Sequence, residues 1–117
     1  MNPIRKRKIE SEIVKSVANL ILSGKVKDPR IEMVTVHRAS ISDDFSIAKI
    51  WVTAYCNDHG KNKLLRGLKN ASGFIQSVVS RDLRLRVTPK FIFFWDEEYI
   101  KAFEVNQLID SLPKMGE

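Results

Sequence analysis

Leu64–Arg86 has the sequence LLRGLKNASGFIQSVVSRDLRLR, and this stretch decides the fold. Its apolar residues keep helical spacing and form one stripe along the segment: Leu64, Leu68, Ala71, Ile75 and Val78. Glycine disfavours a helix interior and often marks a bend. The pattern therefore predicts two helices joined by a structural kink at Ala71, Ser72 and Gly73. We expect Gly73 to lie close to the sheet, so that a larger side chain there would destabilise the fold.

The residues before this stretch predict one long helix and a connector. Asn2-Pro3 suits a helix start, because asparagine caps free N–H groups and proline fits the first turn. Ser23-Gly24 suits the end of that helix. Lys25–Arg30 then forms a connector, since Pro29 cannot continue a helix.

Three further segments favour strands, and one more favours a helix. Residues 31–41 and 45–56 are rich in β-branched and aromatic residues, and Ser42-Asp43-Asp44 between them predicts a hairpin turn. In the second of these strands, alternation puts Ala48, Ile50, Val52 and Ala54 on one face. Phe91–Trp95 predicts a third strand, and Glu97–Leu112 predicts a helix with acidic residues at its start.

The predicted order is helix, strand, strand, helix, kink, helix, strand and a C-terminal helix. It resembles the order of a type II KH-like domain, an α+β RNA-binding module with helices on one side of a three-stranded sheet. In KH domains a GXXG loop clamps the nucleic-acid backbone, and here Ala71-Ser72-Gly73 takes its place. The 117 residues fit one domain, which we place at residues 4–112, followed by a frayed tail at 113–117.

The charges are segregated along the chain. Residues 1–30 carry eight Lys or Arg against three acids, and residues 59–90 carry eight against one. The other two segments, 31–58 and 91–117, are net acidic, so the total charge of +6 conceals two cationic regions. Segregated positive charge and a sequence pI of about 9.6 favour a polyanionic partner.

Other classes of protein fit poorly. No apolar run approaches the about 18 residues that span a bilayer, and residues 1–8 lack the apolar stretch of a secretory signal. We therefore expect a cytoplasmic protein that has no membrane partner. Cys56 is the only cysteine, which excludes an internal disulfide, and we expect it to be a small core residue.

The sequence offers no catalytic or metal-binding constellation. His37 and His59 are the only histidines, and no nucleophile motif surrounds them. Asp43-Asp44 has no spaced third ligand, so turn formation explains the pair better than a metal site does. We predict a protein that is not an enzyme, with no catalytic residues, no metal and no cofactor.

Four stretches of the chain are similar to one family: VKDPRI at 26–31, SDDFSIAKIWVT at 42–53, GLKNASGFI at 67–75 and LRLRVTP at 83–89. Together they resemble ribosome-binding factor A, a bacterial assembly factor of the small ribosomal subunit. The chain departs from the family pattern at Gln76, Ile92, Ala102 and Glu104. The resemblance implies a monomeric factor that binds immature or free small subunits near the five-prime-terminal helix of their rRNA. It also implies a role in late maturation, in rRNA processing and in growth in the cold.

The basic residues that flank the predicted kink and the connector are the candidate RNA-binding residues: Lys25, Lys27, Arg30, Arg66, Lys69, Arg81, Arg84 and Arg86. Arg81 and Arg84 are expected to share a helix face at three-residue spacing. Two alternatives remain open. One is a general KH-like RNA-binding protein without ribosome specificity. The other is a protein-interaction module, with an exposed aromatic anchor at Trp51, Tyr55, Phe93 or Trp95.

Overall fold

The structure combines helices and a three-stranded sheet in an α+β arrangement. The computed structural model describes the backbone of residues 2–31 and 33–111, and side chains in those ranges as far as residue 107. The elements follow in this order: α1 (Pro3–Leu22), a 3-10 turn (Pro29–Ile31), β1 (Thr35–Ile41), β2 (Ile47–Thr53), α2 (Asp58–Asp82), β3 (Lys90–Trp95) and α3 (Glu97–Ser111). The predicted α+β class and KH-like order are confirmed. The predicted tail at 113–117 lies outside the described residues.

One continuous helix, α2, stands where two were predicted. The apolar stripe explains the difference, because Leu64, Leu68, Ile75 and Val79 are all buried in the same core on both sides of the glycine. Burial of this stripe outweighs the penalty of about 1 kcal/mol for a glycine inside a helix. The Ser72 hydroxyl donates to the Lys69 carbonyl at 2.8 Å, a local bond of the kind that accompanies helix bends. A bend at Ala71–Gly73 stays a prediction.

The sheet has β2 at its centre, paired antiparallel with β1 and parallel with β3. Both helices of the core cover the same face, α1 packing on β1 and α2 on β3. The Ala48, Ile50 and Val52 side chains of β2 point into this core and are fully buried, which confirms the predicted face. The strand order β1-β2-β3 puts β3 at an edge of the sheet. The crossover helix α2, which joins the parallel strands β2 and β3, packs beside it.

The strands are shorter than the sequence predicts. β1 begins at Thr35, because the 3-10 turn at Pro29–Ile31 occupies the residues before it. β2 ends at Thr53, and both Tyr55 and Cys56 are exposed. The expectation that Cys56 lies in the core is therefore wrong. The chain has already left the sheet there and turns into α2.

The helix ends follow the capping residues. The Asn2 side chain accepts a hydrogen bond from the Ile4 N–H at 2.8 Å, and Ser23 is the C-cap of α1, as predicted. Asp96 starts α3 by accepting from the Tyr99 N–H at 3.1 Å. None of the helices among the described residues combines the length and apolarity needed to cross a bilayer.

Gly67, and not Gly73, is the glycine at which α2 approaches another part of the chain closely. A Cβ atom on Gly67 would lie 3.0 Å from Ile31 Cγ2 and 3.1 Å from Arg30 Cβ, in the 3-10 turn. A Cβ atom on Gly73 would meet nothing within 4 Å, and Gly73 is exposed. The expectation that Gly73 lies against the sheet is therefore corrected.

Candidate nucleic-acid interface

A groove between α2 and the edge strand β3 gathers positive charge. This α2–β3 groove has a volume of about 710 Å³. Its lining residues are Asn62, Leu65, Arg66, Lys69, Ser72, Lys90, Phe91, Ile92 and Phe93. Three of them are cationic and none is acidic. The groove therefore combines apolar residues with charged residues that are all positive, a combination that suits a ribose-phosphate chain.

Each cation of the α2–β3 groove is placed by its element. Arg66 and Lys69 are three residues apart on α2 and so share one helix face. Lys90 is the first residue of β3, and its N–H donates to the Ser46 carbonyl at 2.9 Å. All three side chains are exposed. Arg66 and Lys69 were among the predicted RNA-binding residues, whereas Lys90 was not.

The edge of β3 places a backbone donor beside the same groove. The Phe91 N–H points away from β2 and donates to the Gln76 side-chain oxygen at 3.0 Å. Strand N–H groups alternate in direction, so the Phe93 N–H faces the same side. Phe93 lines the groove. An anion or a base edge in the groove therefore meets an amide donor as well as the three cations.

A second groove separates α1 from α2. This α1–α2 groove has a volume of about 750 Å³ and is lined by residues that include Lys15, Asn19, Lys25, Phe74, Val78 and Arg81. Lys25 and Phe74 also line an adjoining depression of about 360 Å³, together with Lys27, Asn70 and Ala71. The structure thus places Lys25 in one groove with Arg81 and in the adjoining depression with Lys27. Both lie on a different side of α2 from Arg66 and Lys69.

Arg30 is engaged by its own connector. Its guanidinium binds the Asp28 carboxylate in a fork, with the shortest contact at 2.6 Å from Arg30 Nη2 to Asp28 Oδ2. The hydrogen bonds from Arg30 lower the pKa of Asp28 to about 2, so the carboxylate stays ionised at neutral pH. Because its charge is balanced and its stem lies over Gly67, Arg30 contributes to holding the connector on α2.

Arg84 does not share a helix face with Arg81, because α2 ends at Asp82 and Arg84 adopts a left-handed conformation with φ of 55°. The Leu85 N–H donates to the Ser80 carbonyl at 2.9 Å, and the Arg84 N–H donates to the Arg81 carbonyl at 3.1 Å. This is the Schellman arrangement, in which glycine is the usual residue at the position of Arg84. Arg84 and Arg86 are exposed, and neither lines the two grooves.

The backbone of Arg84 leads to a stability prediction. Arg84→Gly is expected to raise the free energy of unfolding by about 0.5 to 1 kcal/mol, because glycine adopts the left-handed conformation without the steric cost of a Cβ atom. Arg84→Ala removes the same charge and keeps the Cβ atom, so it should give no such gain. Urea denaturation of both variants measures the difference. Equal stability of the two would contradict this account.

The four aromatic residues that could anchor a partner protein differ in how far they are buried. Trp51 is half-buried on the outer face of the sheet, beside Phe94 at 5.8 Å between ring centroids, and the Arg38 guanidinium lies 4.3 Å from its ring. Phe93 and Trp95 pack partly against the core. Only Tyr55 of the four is fully exposed.

His37 has a structural environment. Its Nε2 atom lies 2.6 Å from the Thr53 hydroxyl, and its ring stacks on Tyr99 at 3.9 Å between centroids. Burial lowers the pKa of His37, which favours the neutral ring. Within residues 2–31 and 33–111, no three His, Cys, Asp or Glu side chains are grouped to hold a metal ion.

Sequence reasoning missed two features of these grooves. Lys90 is not among the predicted RNA-binding residues, and its place directly before the predicted strand Phe91–Trp95 was the available signal. Phe74 is not among the predicted site residues, yet it is 49% exposed. Phe74 directly precedes Ile75, which belongs to the apolar stripe, so helical spacing puts Phe74 on a different face of α2. This spacing could have indicated that the ring is exposed.

The element order and the cationic groove beside an edge strand define a KH-like α+β module of the kind that binds RNA. A family model described as ribosome-binding factor A matches residues 5–109, nearly the whole chain. The chain therefore belongs to the ribosome-binding factor A family.

Individual relatives agree with this assignment. A ribosome-binding factor A of Leptospira biflexa is 51% identical over 115 residues, which cover 97% of this chain and 77% of that protein. The solution structure of a putative ribosome-binding factor A from Thermotoga maritima superposes with a TM-score of 0.69 at 31% identity, over 80% of this chain and 90% of that one. A Thermus thermophilus ribosome-binding factor A fitted into the map of a 30S complex gives a TM-score of 0.61 at 27% identity, over 76% of this chain and 92% of that one.

Proposed function

We propose that this protein is a non-enzymatic assembly factor that binds the immature or free small ribosomal subunit. In this role it supports late maturation of the subunit and processing of its rRNA. The observation that carries the proposal is the α2–β3 groove, in which three cations lie beside the edge strand β3 and no lining residue is acidic. A relative with the same fold has been fitted into a 30S complex, which supports the same partner for this chain.

The proposal includes the place and form of action. We place the binding site near the five-prime-terminal helix of the small-subunit rRNA, with the protein acting as a monomer in the cytoplasm and supporting growth in the cold. Recognition would rest on phosphates and RNA shape, because cationic side chains and one strand edge provide contacts that are mostly independent of sequence. Lys25, Lys27 and Arg81 would extend the contact around α2.

Co-sedimentation tests the partner directly. Purified small subunits from a strain that lacks the factor are mixed with the protein and centrifuged, with mature large subunits and an unrelated structured RNA as parallel samples. We expect the protein to sediment with small subunits only, and to be released as salt is raised. Equal retention on the unrelated RNA would favour a general RNA-binding protein, and no retention on any RNA would favour a protein-interaction module.

A further inference from the structure

Phe74 presents an aromatic ring to solvent at the centre of α2. Its side chain is 49% exposed, although Ile75 beside it is fully buried. The ring lines both the α1–α2 groove and the adjoining depression, so it lies where the two meet. A half-exposed phenylalanine has apolar surface that a flat ligand can cover.

The charges around Phe74 indicate what that ligand is. The two depressions are lined by the cations Lys15, Lys25, Lys27 and Arg81. The acids along them are Glu12, Asp82 and Asp28, and the last of these is already neutralised by Arg30. Positive charge is therefore in excess next to the ring. An exposed aromatic ring among cations is the arrangement with which proteins hold an unpaired nucleotide, because the base stacks while phosphates meet the cations.

Two other aromatic rings with accessible surface lack this setting. Phe103 is also 49% exposed, but it lies on α3 next to Glu104, and its ring is within 6.5 Å of the Tyr99 ring. The Trp51 ring already has the Arg38 guanidinium at 4.3 Å. Arg38 is in turn held by Asp96 and Glu98. Phe74 differs from these two rings because it lies in depressions where cations outnumber acids.

We infer that Phe74 is a base-stacking residue, on which one unpaired base of single-stranded RNA lies while the flanking phosphates contact Lys25 and Arg81. This inference rests on the proposed function and adds to it the form of RNA that is recognised. A base inside a duplex cannot present its face to the ring, so the site requires a loop, a bulge or an unpaired end. Lys25 and Arg81 line the same groove as Phe74, which places cations beside the ring.

The test compares Phe74→Leu with Phe74→Tyr on a short unstructured RNA oligonucleotide and on the same sequence annealed to its complement. Leucine keeps an apolar side chain but cannot stack, whereas tyrosine keeps the ring. We expect Phe74→Leu to bind the single strand about 10-fold more weakly, equal to about 1.4 kcal/mol. Phe74→Tyr should bind like the parent. The logarithmic salt slope should be unchanged in both, because no phosphate contact is removed.

Phe103→Leu is the matched control, since it removes an equally exposed phenylalanine that lies on α3 and lines neither groove, and it should bind RNA like the parent. Circular dichroism verifies the fold of every variant. Parental affinity of Phe74→Leu, or an absent preference of the parent for single strands, would overturn the inference even if small subunits still bind. If Phe74→Leu bound small subunits more weakly but bound the single-stranded oligonucleotide like the parent, the ring would contact a ribosomal protein. That result would also overturn the inference. Failure of the parent to sediment with small subunits would instead count against the proposed function.

Discussion

Gly67→Val is expected to lower the free energy of unfolding by about 2 to 3 kcal/mol. Even a single Cβ atom at this position would lie 3.0 Å from Ile31 Cγ2 and 3.1 Å from Arg30 Cβ, and valine adds two more methyl groups. Ile31 is buried and Arg30 is tied to Asp28, so neither neighbour can move aside easily. The valine side chain could be accommodated only if the whole connector moved away from α2. That movement would break the packing of the 3-10 turn on α2.

Gly73→Val provides the comparison. Position 73 lies six residues further along the same helix, is exposed, and offers open space for a Cβ atom. Valine has a higher helix propensity than glycine, so the stability should stay within about 0.5 kcal/mol of the parent. Urea denaturation measures the free energy of unfolding of both variants, with the same dependence on urea concentration assumed for each. A loss at Gly73 as large as that at Gly67 would show that α2 approaches another element near its middle.

The double variant Arg66→Ala and Lys69→Ala should lose much of its affinity for the small subunit. Both side chains line the α2–β3 groove, and each is expected to neutralise one phosphate. Removing both should lower the magnitude of the logarithmic salt slope by about 2 units and weaken binding at least about 10-fold at moderate salt. Folding should be almost unaffected, because exposed charges contribute little to stability.

The matched control is the double variant Arg7→Ala and Lys8→Ala, which removes two exposed positive charges from α1, outside the residues that line either groove. It should keep the parental slope within about 1 unit, since only long-range attraction is reduced. Binding is measured at several salt concentrations for parent and variants. If the α1 variant lost more affinity than the groove variant, the RNA surface would lie at the start of α1 and the groove proposal would fail.

Local signals predicted the elements of this fold well. Asn2 and Ser23 mark the two ends of α1, and both are predictable because caps act on the neighbouring backbone. Alternation in β2 places Ala48, Ile50 and Val52 in the core, because the period of a strand is independent of its partners. Features that depend on residues distant in sequence were predicted less well. Gly67 owes its tight contact to Arg30 and Ile31, which lie more than thirty positions earlier.

The candidate site shows the same division. Charge segregation located the cationic segments, and the structure distributes their residues over two sides of α2. The left-handed backbone of Arg84 was not predictable, because no glycine marks the end of α2 and the alternating leucines and arginines also suit a continuing helix. The role of the eight predicted basic residues in RNA binding stays a prediction.

The position of β3 at an edge of the sheet has a consequence for self-association. A strand edge with free amide groups can pair with the same edge of another molecule, and lysine at an edge opposes such pairing. Lys90 begins β3, and Arg66 and Lys69 stand on the helix beside it. Two copies meeting edge to edge would therefore bring six positive charges together, while an RNA strand at the same edge would be attracted. We expect the charges that are proposed to attract RNA also to keep the protein from aggregating through its sheet.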